Sequence, residues 1–184
     1  IIVAHDDTDR SHNRYMFRRV KESLAHTEYK VIDLYKEDFS PVLGRGDREH
    51  VERYQNLLAW STDIVVIYPV WWNGMPVILK GFCDKVIEPG YAFVYDSTPL
   101  PKVGWPRGLL TGRKTVTLTT SGSPSILHKV YQRARGIKQG TVDTFGFAGL
   151  TTKNFHLGGA QQLDEANKRR INSQVDKAIK WLNS

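Results

Sequence analysis

A single cysteine, Cys83, among 184 residues excludes an internal disulfide and fits a reducing compartment. It falls within an apolar helical pattern, which reads as a buried structural thiol rather than a redox centre. No apolar run approaches the length of a membrane span. No secretory leader precedes the first apolar segment, so the cytoplasm is the expected location. The chain opens at Ile1 rather than at methionine, and further residues ahead of it are expected. There is no internal repeat and no low-complexity segment, and the length predicts a single domain over 1–184. Acidic residues are in deficit: 19 Asp and Glu face 26 Lys and Arg, a formal charge of +7. That balance raises nucleic acid as a partner, but no nucleic-acid motif accompanies it. The basic residues are also dispersed, with Arg14, Arg18, Arg19 and Lys21 early, Arg133, Arg135 and Lys138 later, and Lys168, Arg169 and Arg170 near the end. Each group fits the solvated side of a helix or a loop. A positive field also draws anionic small molecules into a cleft, and a phosphorylated cofactor is preferred here to a polymer.

What is present alternates between strand and helix. Residues 1–4 and 29–34 read as strands, and 63–68 as a continuous apolar run typical of a parallel strand buried on both faces. Residues 114–120 and 154–157 complete the set. Helices are expected over 13–26, where Ser11 can cap and Tyr15, Met16, Val20 and Leu24 recur at helical spacing, then over 48–60, from Pro76 to Val86, and over 163–182. A long loop containing Pro99, Pro101 and Pro106 leads to the fourth strand. Five strands interleaved with helices predict an α/β fold with a doubly wound parallel sheet.

Open sheets of this kind bind ligands at the carboxyl ends of their strands, and three such ends stand out. After the third strand comes Tyr68-Pro69-Val70-Trp71-Trp72-Asn73-Gly74-Met75-Pro76. Paired tryptophans are rare in a core turn that also needs glycine to bend, so a flat ring system against indole and backbone is the better reading. After the first strand, His5, Ser11 and Asn13 lead into a helix N-terminus, where free N–H groups and the helix dipole favour a phosphate. The residues equally allow Ser11 as a mere cap and His5 as packing. Asp6, Asp7 and Asp9 are expected to point outward; as a metal site they lack a calcium-loop pattern. After the fourth strand, Thr119-Thr120-Ser121-Gly122-Ser123-Pro124-Ser125 is either a serine-rich turn or a stretch that lets backbone approach a ligand edge. In the order 2-1-3-4-5 these three ends meet at the switch point. Phosphate contacts at one and ring contacts at two describe flavin mononucleotide.

The same residues carry a family resemblance. Ala4-His5 with Ser11-His12-Asn13, the run from Pro69 to Phe82, Asp84-Lys85-Val86, Gly90-Tyr91-Ala92-Phe93, the run from Gly108 to Lys114, and Thr119-Thr120-Ser121-Gly122 resemble the NAD(P)H:quinone oxidoreductase, or DT-diaphorase-like, family of flavodoxin-like flavoproteins. The resemblance implies a five-stranded flavodoxin-like domain and an FMN-dependent homodimer. It implies two-electron ping-pong hydride transfer from NAD(P)H through flavin N5 to quinones or similar acceptors, with FMN favoured over FAD. By resemblance, His5, Ser11 and Asn13 hold the flavin phosphate, and Pro69, Val70, Trp71 and Trp72 lie along the isoalloxazine. Thr120, Ser121, Gly122 and Ser123 meet its pyrimidine side, and Phe93 and Tyr95 line a substrate pocket across the dimer interface. Backbone N–H groups of the Trp72-Asn73-Gly74 turn are expected to stabilise negative charge on the ring. The family's Thr-Thr-Gly-Gly is here Thr-Thr-Ser-Gly. The tyrosine and histidine that assist transfer in some members have no equivalents after Ser125, His128 being out of register, so no catalytic acid–base residue is assigned. The family also includes ancillary regulatory subunits of glutathione-gated potassium efflux systems, which makes a membrane transporter the alternative partner.

Overall fold

Ile64, Val65, Val66, Ile67 and Tyr68 are buried in succession, with no polar alternation, because helices cover both faces of the strand they form. The computed structural model describes residues 1–6, 11–44, 48–97, 104–130 and 133–184, with all side chains among these except those at 128 and 129. Its elements are β1 (Ile2–Val3), α1 (His12–Ser23), β2 (Ile32–Asp33), α2 (Arg48–Trp60), β3 (Asp63–Pro69), α3 (Val77–Val86), β4 (Phe93–Ser97), β5 (Gly104–Gly108), β6 (Lys114–Ser121), α4 (Ser125–Val130), α5 (Arg135–Gln139), a π-helical turn (Val142–Gly146), β7 (Thr151–Gly158) and α6 (Glu165–Leu182). Five strands pair in parallel in the order β2-β1-β3-β6-β7. This is the flavodoxin-like order expected from the sequence.

Alternate residues of β3 feed two cores. Ile64, Val66 and Tyr68 join Tyr54 and Leu58 of α2 and Leu79 and Phe82 of α3. Val65 and Ile67 join Met16 and Val20 of α1 and Ile171, Val175 and Ala178 of α6. Cys83 lies in the first core as a buried free thiol, and burial pushes its pKa up to about 12. Among the described residues, no helix is long and apolar enough to cross a membrane.

Several expectations need correction. The first two strands pair over only two residues each, whereas the last runs from Thr151 to Gly158. The long loop before the fourth sheet strand contains an antiparallel hairpin, β4 with β5, in which Phe93 faces Gly108. Pro106 sits inside β5, opposite Tyr95, where a two-stranded ribbon leaves its missing N–H harmless. Pro99 and Pro101 lie outside the described residues. The interval after β6 carries α4, α5 and the π-helical turn. Arg14, placed with the solvated basic residues by its charge, is among the most deeply buried side chains, at 2% exposure. Its guanidinium is an ion-pair partner of Asp33 at the end of β2 and also donates to the carbonyls of His5 and Asp6. A buried cation is tolerable only with such partners.

Candidate functional site

Ser11 caps α1: its backbone is extended and its hydroxyl accepts the Arg14 N–H at 3.2 Å. The first-turn N–H groups of His12 and Asn13 precede any carbonyl four residues back, so they face the space beyond the helix end. Ser11 Oγ also lies 3.0 Å from His5 Nδ1, which ties the strand end to the cap. Asn13 is not free: its amide exchanges hydrogen bonds with the Thr120 hydroxyl at 3.0 and 3.3 Å, joining α1 to the end of β6 across 107 residues. The Val70 N–H donates to Thr120 O at 2.7 Å and closes the third side.

These contacts frame a pocket of about 150 Å³ lined by His5, Ser11, His12, Asn13, Pro69, Val70, Trp71, Thr120, Ser121, Gly122 and Ala160. It sits at the carboxyl ends of β1, β3 and β6, where the sequence placed it. Among the described residues lining it there is no carboxylate. His12 is buried, and burial lowers its pKa from the ordinary value. Its Nε2 lies 2.9 Å from Gln162 O. Asp6 turns outward at 57% side-chain exposure, beside His5 Nδ1, as expected. Asp7 and Asp9 lie outside the described residues, as does the His128 side chain. A larger cavity of about 380 Å³ lies at the other end of the sheet, against Ile1, Leu24, Trp60 and Leu182. It touches none of the three segments singled out by sequence.

The tryptophan segment is a tight turn. Trp71 and Gly74 exchange N–H···O bonds at 3.0 and 2.9 Å, and both central residues are left-handed, Trp72 at φ +48° and Asn73 at φ +59°. That is the backbone of a primed hairpin turn. Asparagine tolerates it; tryptophan does not, at a cost of about 1–2 kcal/mol. The Gly74 N–H is thus spent on Trp71 and cannot serve a ligand, contrary to expectation. Those of Trp72 and Asn73 make no hydrogen bond among the described residues. Asn73 Oδ1 accepts the Gly136 N–H at 3.2 Å, and Gln139 Oε1 accepts that of Met75 at 3.2 Å, so α5 braces the turn from behind.

Of the residues nominated by sequence, His5, Ser11, Asn13, Pro69, Val70, Trp71, Thr120, Ser121 and Gly122 converge on the pocket. Trp72 and Ser123 do not line it: the Trp72 side chain is wholly in solvent, and Ser123 acts through its carbonyl, which accepts from Ser121 Oγ at 2.9 Å. Phe93 and Tyr95 also stand apart from it. The exposed aromatic cluster expected at 91–95 is in fact divided. Phe93 is buried edge-on against Phe147, centroids 4.9 Å apart, and the Tyr91 hydroxyl donates to Gln55 O, while Tyr95 alone stays exposed. Sequence reasoning quoted His12 without giving it a role and passed over Ala160 and the bracing residues Gly136 and Gln139. The position of His12 beside Ser11 could have revealed it; nothing local marks the others.

Residues 1–182 match a family model described as flavodoxin-like fold. An uncharacterized NAD(P)H oxidoreductase of Haemophilus influenzae is 26% identical over 191 residues, covering 96% of this chain and 92% of that protein. An FMN-dependent NADH:quinone oxidoreductase of Clostridium acetobutylicum is 29% identical, covering 78% and 73%. Two further relatives match over 55% and 54% of their own lengths. A crystal structure of a Streptococcus mutans protein superposes with a TM-score of 0.82 at 25% identity, covering 100% of this chain and 97% of that one.

Proposed function

This chain belongs to the flavodoxin-like fold family, and from that premise we propose that it is an FMN-dependent NAD(P)H:quinone oxidoreductase. The observation that carries the reading is the convergence of three separate strand ends on one polar pocket with no carboxylate among the described residues that line it. The residues fit the cofactor. Hydroxyl, amide and imidazole groups beside a helix N-terminus are a donor set for a phosphate. At Gly122 a Cβ would meet nothing within 4 Å, so backbone is open to a ring edge there. FMN bound here would supply two-electron chemistry between NAD(P)H and a quinone-type acceptor.

The protein's own contribution is binding and electrostatics. His5, Ser11 and Asn13, with the N–H groups of the first turn of α1, hold the phosphate. Asn13 does so while clamped to Thr120, which fixes the distance between the phosphate end and the ring end. Pro69, Val70 and Trp71, which line the pocket, would form the wall along the ring, with the exposed Trp72 next to them in the turn. The N–H groups of Trp72 and Asn73 supply donors for negative charge on the ring. Thr120, Ser121 and Gly122 would form the pyrimidine side, with Ser123 holding the Ser121 hydroxyl through its carbonyl. The acceptor pocket is completed in a homodimer, with Tyr95 reaching the neighbouring subunit and Phe93 anchoring its hairpin.

The deciding experiment is the absorption spectrum of purified protein after cofactor loading, with the heat-released flavin identified by chromatography. FMN at stoichiometric occupancy and parallel-line kinetics with NAD(P)H and a quinone are expected. FAD at full occupancy, or no flavin binding, overturns the assignment.

A further inference from the structure

Residues of one parity on paired strands share a face of a sheet. β6 and β7 pair with Thr117 opposite Asn154, Thr119 opposite His156 and Ser121 opposite Gly158. Thr117, Asn154, Thr119, His156 and Ser121 therefore climb one face toward the pocket. They are linked in order. Asn154 Nδ2 donates to Thr117 Oγ1 at 2.7 Å and to Thr119 Oγ1 at 3.0 Å. Thr119 Oγ1 lies 2.9 Å from His156 Nδ1, and His156 Nε2 lies 3.0 Å from Ser121 Oγ. Ser121 Oγ donates to the Ser123 carbonyl at 2.9 Å.

A hydroxyl has one proton to give. That of Ser121 goes to Ser123, so Ser121 accepts from His156 Nε2–H. Thr119 accepts from Asn154 and keeps its own proton available for His156 Nδ1. The Ser121 end calls for a proton on Nε2, and the Thr119 end is matched by a neutral imidazole that accepts at Nδ1.

We propose that His156, as this tautomer, is a positioning residue that holds the Ser121 hydroxyl and the turn at 121–123 in the orientation that reads the cofactor's ring edge. The proposal rests on the FMN reading above. With its proton committed to Ser123, Ser121 Oγ offers the pocket only a lone pair. The ligand group it suits is an N–H donor, such as the imide of a flavin pyrimidine ring. His156 itself does not line the pocket; it acts through Ser121.

Nitrogen-15 NMR of the protein without cofactor reads the tautomer directly, and the Nε2–H pattern is expected for His156. FMN titrations of wild type, His156→Gln and His156→Phe read the positioning. Glutamine can replace the Nε2 donor, while phenylalanine fills the space without one. The Phe variant is expected to bind FMN about tenfold more weakly, the range of one hydrogen bond, and the Gln variant to stay within about threefold of wild type. N3-methylated FMN should lose about tenfold on wild type and little on the Phe variant. An imidazolium or Nδ1–H tautomer at neutral pH, or equal losses in the Gln and Phe variants, overturns the proposal. If wild type binds no FMN, the cofactor reading fails. The tautomer, with amide exchange at 121–123 quickened in the Phe variant and restored in the Gln variant, then still decides for or against His156.

Discussion

The residue whose chemistry most directly reports on the pocket is His12. It is buried beside the pocket with its pKa lowered, first by desolvation and against the opposing pull of its bond to Gln162 O and of Asp164. The unfolded chain therefore binds a proton there more readily than the native state does. This part of the stability is present above the ordinary histidine pKa of about 6.5 and is lost as pH falls below it. Urea midpoints should drop between about pH 7.5 and pH 5.5, and His12→Gln, which keeps a donor near Gln162, should flatten that slope. An anion bound nearby raises the same pKa, so FMN binding near pH 6.5 should take up protons, seen as buffer-dependent heats in calorimetry. Residue-level legibility was uneven. Ser11, Asn13 and Trp71 were marked by residue type at a strand end. Arg14 was misplaced because charge alone predicts solvent, whereas the distant Asp33 and the His5 and Asp6 carbonyls balance it in the interior. His156 was invisible because its partners come from the neighbouring strand.

The turn and its brace show how elements divide the work. Trp72 holds left-handed backbone that glycine would take without strain, yet the indole projects fully into solvent. Strain kept at such a place is expected to serve a ligand. Trp72→Gly should raise unfolding stability by about 1 kcal/mol while weakening FMN binding, two opposed readings from denaturation and fluorescence titration. The brace makes a complementary prediction. A Cβ at Gly136 would lie 2.5 Å from Val70 Cγ1 and 2.8 Å from the Asn73 carbonyl carbon. Gly136→Ala must push the turn forward and displace Val70, which lines the pocket, from behind. FMN affinity should fall at least tenfold, for a stability loss of about 1–3 kcal/mol by overpacking. Apolar runs and helical spacing made the sheet strands and long helices legible. The hairpin and α5 were not, because their prolines, glycines and short lengths read locally as loop, and their placement is decided by packing.

For the whole molecule, the open question is what covers the exposed aromatics of the hairpin, Tyr95 at 61% and Trp105 at 72% exposure. With a second copy as the covering surface, light scattering should give twice the chain mass of 21.0 kDa. Tyr95→Asp should shift the equilibrium to monomer and reduce quinone turnover more than FMN content. A wild-type monomer with full turnover would defeat the shared-site reading. The buried Arg14 has a wider meaning at this scale. It fastens the loop after β1 to Asp33, and Asp33 belongs to a short edge strand, paired with β1 at Ile32 and Asp33 and bonded to it through the N–H groups of Ile32 and Leu34. Short edges open first in native-state fluctuations. Each fraying of that edge releases the guanidinium's anchor and with it the carbonyls of His5 and Asp6. The proposed phosphate site would then open with the edge, and amide exchange at 32–34 and at the start of α1 should quicken together, well before the centre of the sheet exchanges. Ligand entry would thus be timed by the weakest hem of the sheet, and a bound phosphate would, in return, sew that hem shut.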